Sequence, residues 1–186
     1  MGQQVGILAL QGGFEAHAKA LGALGAEPRE VRVADDLHGL DALIIPGGES
    51  TVMELGIERE QLAEPLRALA RSGSPVLGTC AGMIMLDRDH LGVLDILARR
   101  NAFGRQIRSF ETELEVDGVA GGPVHAVFIR APWVEQHGPS VEVLARIDGH
   151  PVAVRQANLI AVAFHPELAG ETRLHALALN ANGAQR

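Results

Sequence analysis

The chain has 186 residues, a length suited to one domain, here expected to span residues 1–186. Its composition is 47% hydrophobic and 21% charged, enough for a real core, which Ala, Val, Leu and Ile must fill because there are five Phe, one Trp and no Tyr. A formal net charge of -7 leaves no basic stripe to neutralise phosphates and argues against a nucleic-acid binder, while one cysteine cannot make an intrachain disulfide and suits a reducing cytoplasm.

The opening "MGQQVGILALQGG" lacks the basic n-region of a signal peptide and the sixth-position Ser or Thr of a myristoylation signal. No apolar run reaches transmembrane length, so no membrane partner is expected. In chain order, "VGILAL" (5–10) reads as a buried strand and "FEAHAKALGALG" (14–25) as a helix stopped by Gly25. "REVRV" (29–33) and "DALIIPGG" (41–48) follow as strands. "STVMEL" then opens a helix with a capping box from Thr51 to Glu54. "REQLAEPLRALARSG" (59–73) places Leu62, Leu66 and Leu69 on one helical face, and "PVLG" (75–78) is a fourth strand. This strand-helix-strand order predicts a parallel sheet covered by helices on both faces. From about residue 93 to 156 strands follow strands, expected to extend the same sheet in antiparallel fashion. "LIAVAFHPEL" (159–168) returns to a buried strand, and "ETRLHALALN" (171–180) closes the chain as a helix. The fold class is therefore α/β, a three-layer sandwich around a mixed, mainly parallel sheet.

The lone cysteine lies in Gly78-Thr79-Cys80-Ala81-Gly82, between a strand and a helix. Gly-x-nucleophile-x-Gly in that context is a nucleophile elbow, a turn so tight that the flanking residues must be small. The start of the following helix favours negative charge, and the Ala81 N–H can face a developing oxyanion. A buried structural cysteine after a core strand is the alternative. A thiolate nucleophile needs a base, and the base needs an orienting group. Of eight histidines, His17 and His175 fall on helices and His38, His90 and His137 on polar connections, where surface or capping positions are expected. His165 differs: it ends an apolar strand, and Glu167 two residues on points to the same side of an extended chain. Cys80 and His165 both follow strand ends, where parallel sheets gather their active sites. A loop with a solvated His and Glu is the alternative. "IIPGGEST" (44–51) supplies Gly47 and Gly48, able to offer a second oxyanion donor, followed by Glu49 and Ser50 to read a polar substrate. It lacks the Gly-Lys-Ser/Thr ending of a phosphate loop.

The ordered set of Gly-Gly loop, Gly-x-Cys-x-Gly elbow and C-terminal His-x-Glu resembles class I glutamine amidotransferases. The segments "GILALQGGFEAH", "LIIPGGEST", "GTCAGMI", "RNAFGRQIRSFE", "VFIRAP" and "FHPEL" are similar to the branch that serves pyridoxal 5′-phosphate synthase. The resemblance implies Cys80, His165 and Glu167 as a catalytic triad. It implies Gly48, Glu49, Ser50, Arg105, Ile129 and Arg130 as the glutamine site, with Gln11 near the oxyanion loop of Gly47 and Ala81. It further implies release of ammonia from L-glutamine to a synthase partner that builds the vitamin B6 cofactor, which is then a product of the complex. No cofactor or metal is expected on this chain. Alternatives are a glutaminase of the histidine-biosynthesis type, a cysteine peptidase or esterase on a similar fold, and a docking subunit without catalysis. The chain departs from that branch where only "DRD" (87–89) stands for a longer acidic loop, which touches no implied site residue.

Overall fold

In the computed structural model, which describes residues 2–104 and 109–180, the first apolar run forms β1 (Gln4–Leu8), followed by α1 (Phe14–Ala23) and β2 (Glu27–Val31). Next come β3 (Ala42–Ile45), α2 (Ser50–Arg59), α3 (Ala63–Arg71), β4 (Val76–Thr79) and α4 (Ala81–Leu86). The expected helix over 59–73 is two helices. Gln61 takes φ 54°, a left-handed conformation that stops α2 before α3 begins. Leu62 and Leu66 are still buried, as their spacing predicts. The Thr51–Glu54 capping box does not form: α2 begins at Ser50, Glu49 is its N-cap, and no side chain caps it.

The middle of the chain contains β5 (Ile96–Arg99), β6 (Ser109–Leu114), β7 (Val124–Ile129), β8 (Trp133–His137), β9 (Glu142–Ile147) and β10 (His150–Gln156). β11 (Leu159–Val162) and α5 (Arg173–Leu179) close the fold. One seven-stranded sheet has the order β2-β1-β3-β4-β11-β10-β9. Its first five strands are parallel neighbours, β10 pairs antiparallel with β11, and β9 pairs antiparallel with β10. The expected antiparallel extension thus holds for β9 and β10 only. β5 pairs with β8, and β6 with β7, as separate two-stranded ribbons.

The scarce aromatics explain where the second ribbon sits. Phe110 of β6 stacks on Phe128 of β7 at 4.6 Å between ring centroids, and Phe128 meets Phe164 at 5.4 Å. Packing of these rings holds the end of β7 against the chain leaving β11, where the His165 N–H donates to the Val127 carbonyl at 2.8 Å.

β3, β4 and β11 are buried along their whole length, so they carry near-continuous apolar runs rather than alternation. Parallel pairing also aligns their ends. The chain leaves β1, β3, β4 and β11, four adjacent strands, on one edge of the sheet, and Gln11, Gly47, Cys80 and His165 lie in those four exits. The shortened segment after α4 is a compact turn: buried Asp87 accepts hydrogen bonds from the N–H groups of Asp89 and Ala98 and bonds the His90 ring. Among the described residues no helix is long and apolar enough to cross a membrane.

Candidate active site

Cys80 sits at φ 49°, ψ -106°, between β4 and α4, in a conformation that side-chain-bearing residues rarely adopt. The flanking glycines are required sterically. A Cβ on Gly82 would lie 2.0 Å from the Ile45 carbonyl oxygen, and one on Gly78 would lie 2.7 Å from the Gly82 oxygen. The tight turn is anchored by the Cys80 N–H, which donates to the Val162 carbonyl at 2.8 Å. Since α4 has only six residues, its aligned peptide dipoles are few, and the nearer partner for a thiolate is His165.

The structure brings Cys80, His165 and Glu167 together. The His165 imidazole faces Cys80, whose charge bears on it, and through Nδ1 it bonds Glu167 Oε1 at 2.7 Å. Burial alone would lower the imidazole, but the hydrogen bonds and charges of Cys80 and Glu167 outweigh it and raise His165 from 6.5 to about 10. Burial would likewise raise the Glu167 carboxyl. The His165 hydrogen bond and the neighbouring His17 and His165 charges hold it below the ordinary carboxylate range instead. Both states favour an imidazolium next to a carboxylate.

A cavity of about 360 Å³ opens beside the sulfur. Gln11, Gly48, Glu49, Ser50, Cys80, Ala81, Ile129, Arg130 and His165 all line it. Glu167 stands behind His165, and Gly47 packs so close that a Cβ there would lie 2.3 Å from His165 Cε1 and 3.2 Å from the Cys80 Cβ. Gln11 Oε1 accepts the Glu49 N–H at 2.5 Å, tying the β1 exit to the Gly-Gly loop. Gly12 must lack a side chain because a Cβ there would meet the Gly47 oxygen at 1.8 Å. The Ala81 N–H, in the first turn of α4, has no intrahelical acceptor by construction. Arg130 takes φ 44° at the end of β7, which turns its side chain off the strand at the cavity wall. Arg105 lies outside the described residues. Arg100, Asn101, Ile84 and Pro132 line the cavity as well, and sequence reasoning does not find them. Arg100 and Asn101 belong to the "RNAFGRQ" segment, so a signal is present there, but the family resemblance points to the later arginine of that segment. Among the described residues no group of three or more His, Cys, Asp or Glu side chains is placed to hold a metal ion.

Two histidines expected at surface or capping positions are instead fully buried. His17 shares the inner face of α1 with Ala20 and Leu21, and His175 shares that of α5 with Leu174 and Ala178. His17 Nδ1 lies 2.8 Å from His175 Nε2, and His17 Nε2 lies 3.5 Å from Glu167 Oε2. The spacing of His17 with Ala20 and Leu21 is the signal the sequence offers. Burial lowers His17 from 6.5 to about 4, with Glu167 opposing the drop. The unfolded chain therefore takes a proton at this position near pH 6.5, while the folded chain stays neutral until about pH 4. Stability from this group is fully present above pH 6.5 and is lost as pH falls to 4. The loss is about 3 kcal/mol, at about 1.4 kcal/mol per pH unit. Denaturant unfolding of the parent and of His17→Gln at pH 7.5, 5.5 and 4 checks this. The parent should lose that much more stability than the variant across the range, and parallel curves would contradict the assignment.

Residues 7–181 match the SNO glutamine amidotransferase family. The chain is 56% identical over 185 residues to the pyridoxal 5′-phosphate synthase subunit PdxT of Frankia alni, covering 95% of this chain and 93% of that protein. It is 54% identical over 186 residues to the protein of the same name from Mycolicibacterium vanbaalenii, covering 94% and 95%. A solved glutamine amidotransferase superposes with a TM-score of 0.90 at 47% identity, covering 96% of this chain and 98% of that one.

Proposed function

The chain belongs to the SNO glutamine amidotransferase family, and from that membership we propose that it is the glutaminase subunit of a pyridoxal 5′-phosphate synthase. The observation that carries the chemistry is the convergence of Cys80, His165 and Glu167 beside one cavity at the ends of neighbouring parallel strands. In this reading the Cys80 thiolate attacks the side-chain amide carbon of L-glutamine. The oxyanion is met by the Ala81 N–H and by the peptide between Gly47 and Gly48, and His165 gives its proton to the departing ammonia. The γ-glutamyl thioester is then attacked by water, whose proton returns to His165. Collapse releases glutamate and restores the thiolate–imidazolium pair. Glu167 stays ionised and keeps the imidazole oriented throughout.

The two relatives named as pyridoxal 5′-phosphate synthase subunits support the same role here, with ammonia passing to a synthase subunit as hetero-oligomeric partner. We take residues 1–186 as one glutaminase domain, since apolar residues from β1 to α5 share one buried cluster. A catalytic thiolate with no second cysteine suits a reducing compartment, and we assign the activity to the cytoplasm. The test is isotopic. Nitrogen from glutamine labelled at its side-chain amide should appear in pyridoxal phosphate only when this chain and the synthase subunit are both present. Label incorporation without this chain would refute the role.

Gly48, Glu49, Ser50, Ile129 and Arg130 line the cavity and, with Arg105, make up the glutamine site in this reading, Arg130 holding a charged end of the substrate. Losing one hydrogen bond to a charged group costs about 1.5–3 kcal/mol. Arg130→Ala should therefore raise KM for glutamine by about tenfold to a hundredfold, with alkylation of Cys80 by a small neutral reagent unchanged. Steady-state kinetics with an unaltered KM would remove Arg130 from the site.

A further inference from the structure

The buried polar atoms behind Glu167 form a continuous chain that the reaction scheme does not use. Glu167 Oε1 is occupied by His165, while Oε2 has no hydrogen bond among the described residues. His17 Nε2 lies 3.5 Å from Oε2. The same nitrogen lies 3.2 Å from Thr79 Oγ1, and Thr79 Oγ1 accepts the Gly47 N–H at 3.0 Å. Gly47 in turn packs against both Cys80 and His165. Every link in this chain is shielded: His17, His175 and Thr79 have no exposed surface.

The tautomer follows from electrostatics. An unprotonated Nε2 would set an imidazole lone pair against a carboxylate in a dry site, so the proton belongs on Nε2, between Oε2 and Thr79 Oγ1. Nδ1 then accepts from the His175 Nε2–H at 2.8 Å. The proton-free nitrogen of the pair is His175 Nδ1, which has no hydrogen bond among the described residues. Burial lowers His175, with the Glu167 charge and the Glu171 backbone opposing the drop.

We infer that His17 is a positioning residue for the reaction. Its Nε2–H bonds Thr79, which holds the start of the oxyanion loop at Gly47, and presents partial positive charge to the outer oxygen of Glu167 at 3.5 Å, while His175 sets its tautomer. One buried proton donor thereby keeps the base and the oxyanion loop in register. The inference rests on the proposed glutaminase reading.

The test compares side chains by which imidazole nitrogen they replace. Gln at position 17 can place its amide N–H where Nε2 was, facing Glu167 and Thr79. Asn reaches only the Nδ1 position, facing His175, and Leu keeps bulk without a donor. Glutamine hydrolysis is measured in the complex with the synthase subunit, alongside thermal melts. A displacement of about 1 Å in a catalytic group can cost about 10²-fold. His17→Leu and His17→Asn should therefore lose about 10²-fold in kcat, with KM within about threefold because His17 does not line the cavity. His17→Gln should recover kcat to within about tenfold of the parent. Equal kcat for the Asn and Gln variants, or a Leu variant within threefold of the parent, would overturn the inference. If the His17 variants do not fold, Thr79→Val against Thr79→Ser decides. The Val variant should lose at least about tenfold in kcat and the Ser variant retain it, whereas equal values overturn the inference. Cys80→Ala runs in parallel: activity surviving there sinks the glutaminase reading itself, whereas loss there with unaffected His17 variants sinks only this inference.

Discussion

Cys80→Ala is expected to lower glutamine hydrolysis by about 10⁵-fold or more while the protein folds as before. The magnitude is that of removing a covalent nucleophile from a preorganised site, where the remaining groups can bind and polarise the substrate but cannot attack it. Folding should survive because Ala keeps the Cβ already accommodated at φ 49° in the elbow and adds no atom near Ile45 or Gly82. The substitution removes the sulfur's own interactions, a long one to the Ile129 carbonyl at 3.9 Å and the one to His165. Without the sulfur, the imidazole also loses a main cause of its raised affinity for protons. His165 should therefore titrate lower in the variant than in the parent, a shift readable by NMR. Glutamate release within tenfold of the parent would reject Cys80 as the nucleophile.

Gly47→Ala is expected to reduce turnover by about 10³-fold with little change in the melting temperature. A methyl at this position would lie 2.3 Å from His165 Cε1, 3.0 Å from its Nδ1 and 3.2 Å from the Cys80 Cβ. Each of these clashes is with a side chain rather than backbone, so the fold can absorb it by moving the imidazole. Moving the imidazole is what the chemistry cannot tolerate: the ring would leave Cys80, Glu167 or both. Displacing a catalytic group by about 1 Å costs about 10²-fold, and disturbing the oxyanion loop adds to that loss. Gly82→Ala provides the contrast. There the clash is with the Ile45 carbonyl at 2.0 Å, on the backbone of a core strand, so stability itself should fall. Retained turnover in Gly47→Ala would mean that the methyl is accommodated without moving His165, contrary to the packing described.

Local chemistry and order along the chain are legible in the residues themselves. The small residues around Cys80 define a turn that only small neighbours permit, and Gly82 and Gly78 prove to be that cramped. Glu167 follows His165 at a two-residue spacing, close enough for the 2.7 Å hydrogen bond to form locally. The apolar runs of β3, β4 and β11 announce a sheet buried on both faces.

Whatever joins distant segments is settled by packing instead. The strands from the middle of the chain could not be divided by pattern between the main sheet and separate ribbons, because alternation reports a buried face without naming the surface that covers it. Pairing with β11 takes β10 into the sheet, while stacking of Phe110, Phe128 and Phe164 holds the β6–β7 ribbon apart from it. The break at Gln61 was equally hidden, since Leu62, Leu66 and Leu69 keep helical spacing across it. His17 and His175 show the limit most plainly. They are 158 positions apart, and each alone reads as a polar residue on an amphipathic helix. Only packing α1 and α5 near the exits of β4 and β11 turns them into a buried pair behind Glu167. Burial then withdraws them from solvent and leaves each other, Thr79 and the carboxylate as their partners.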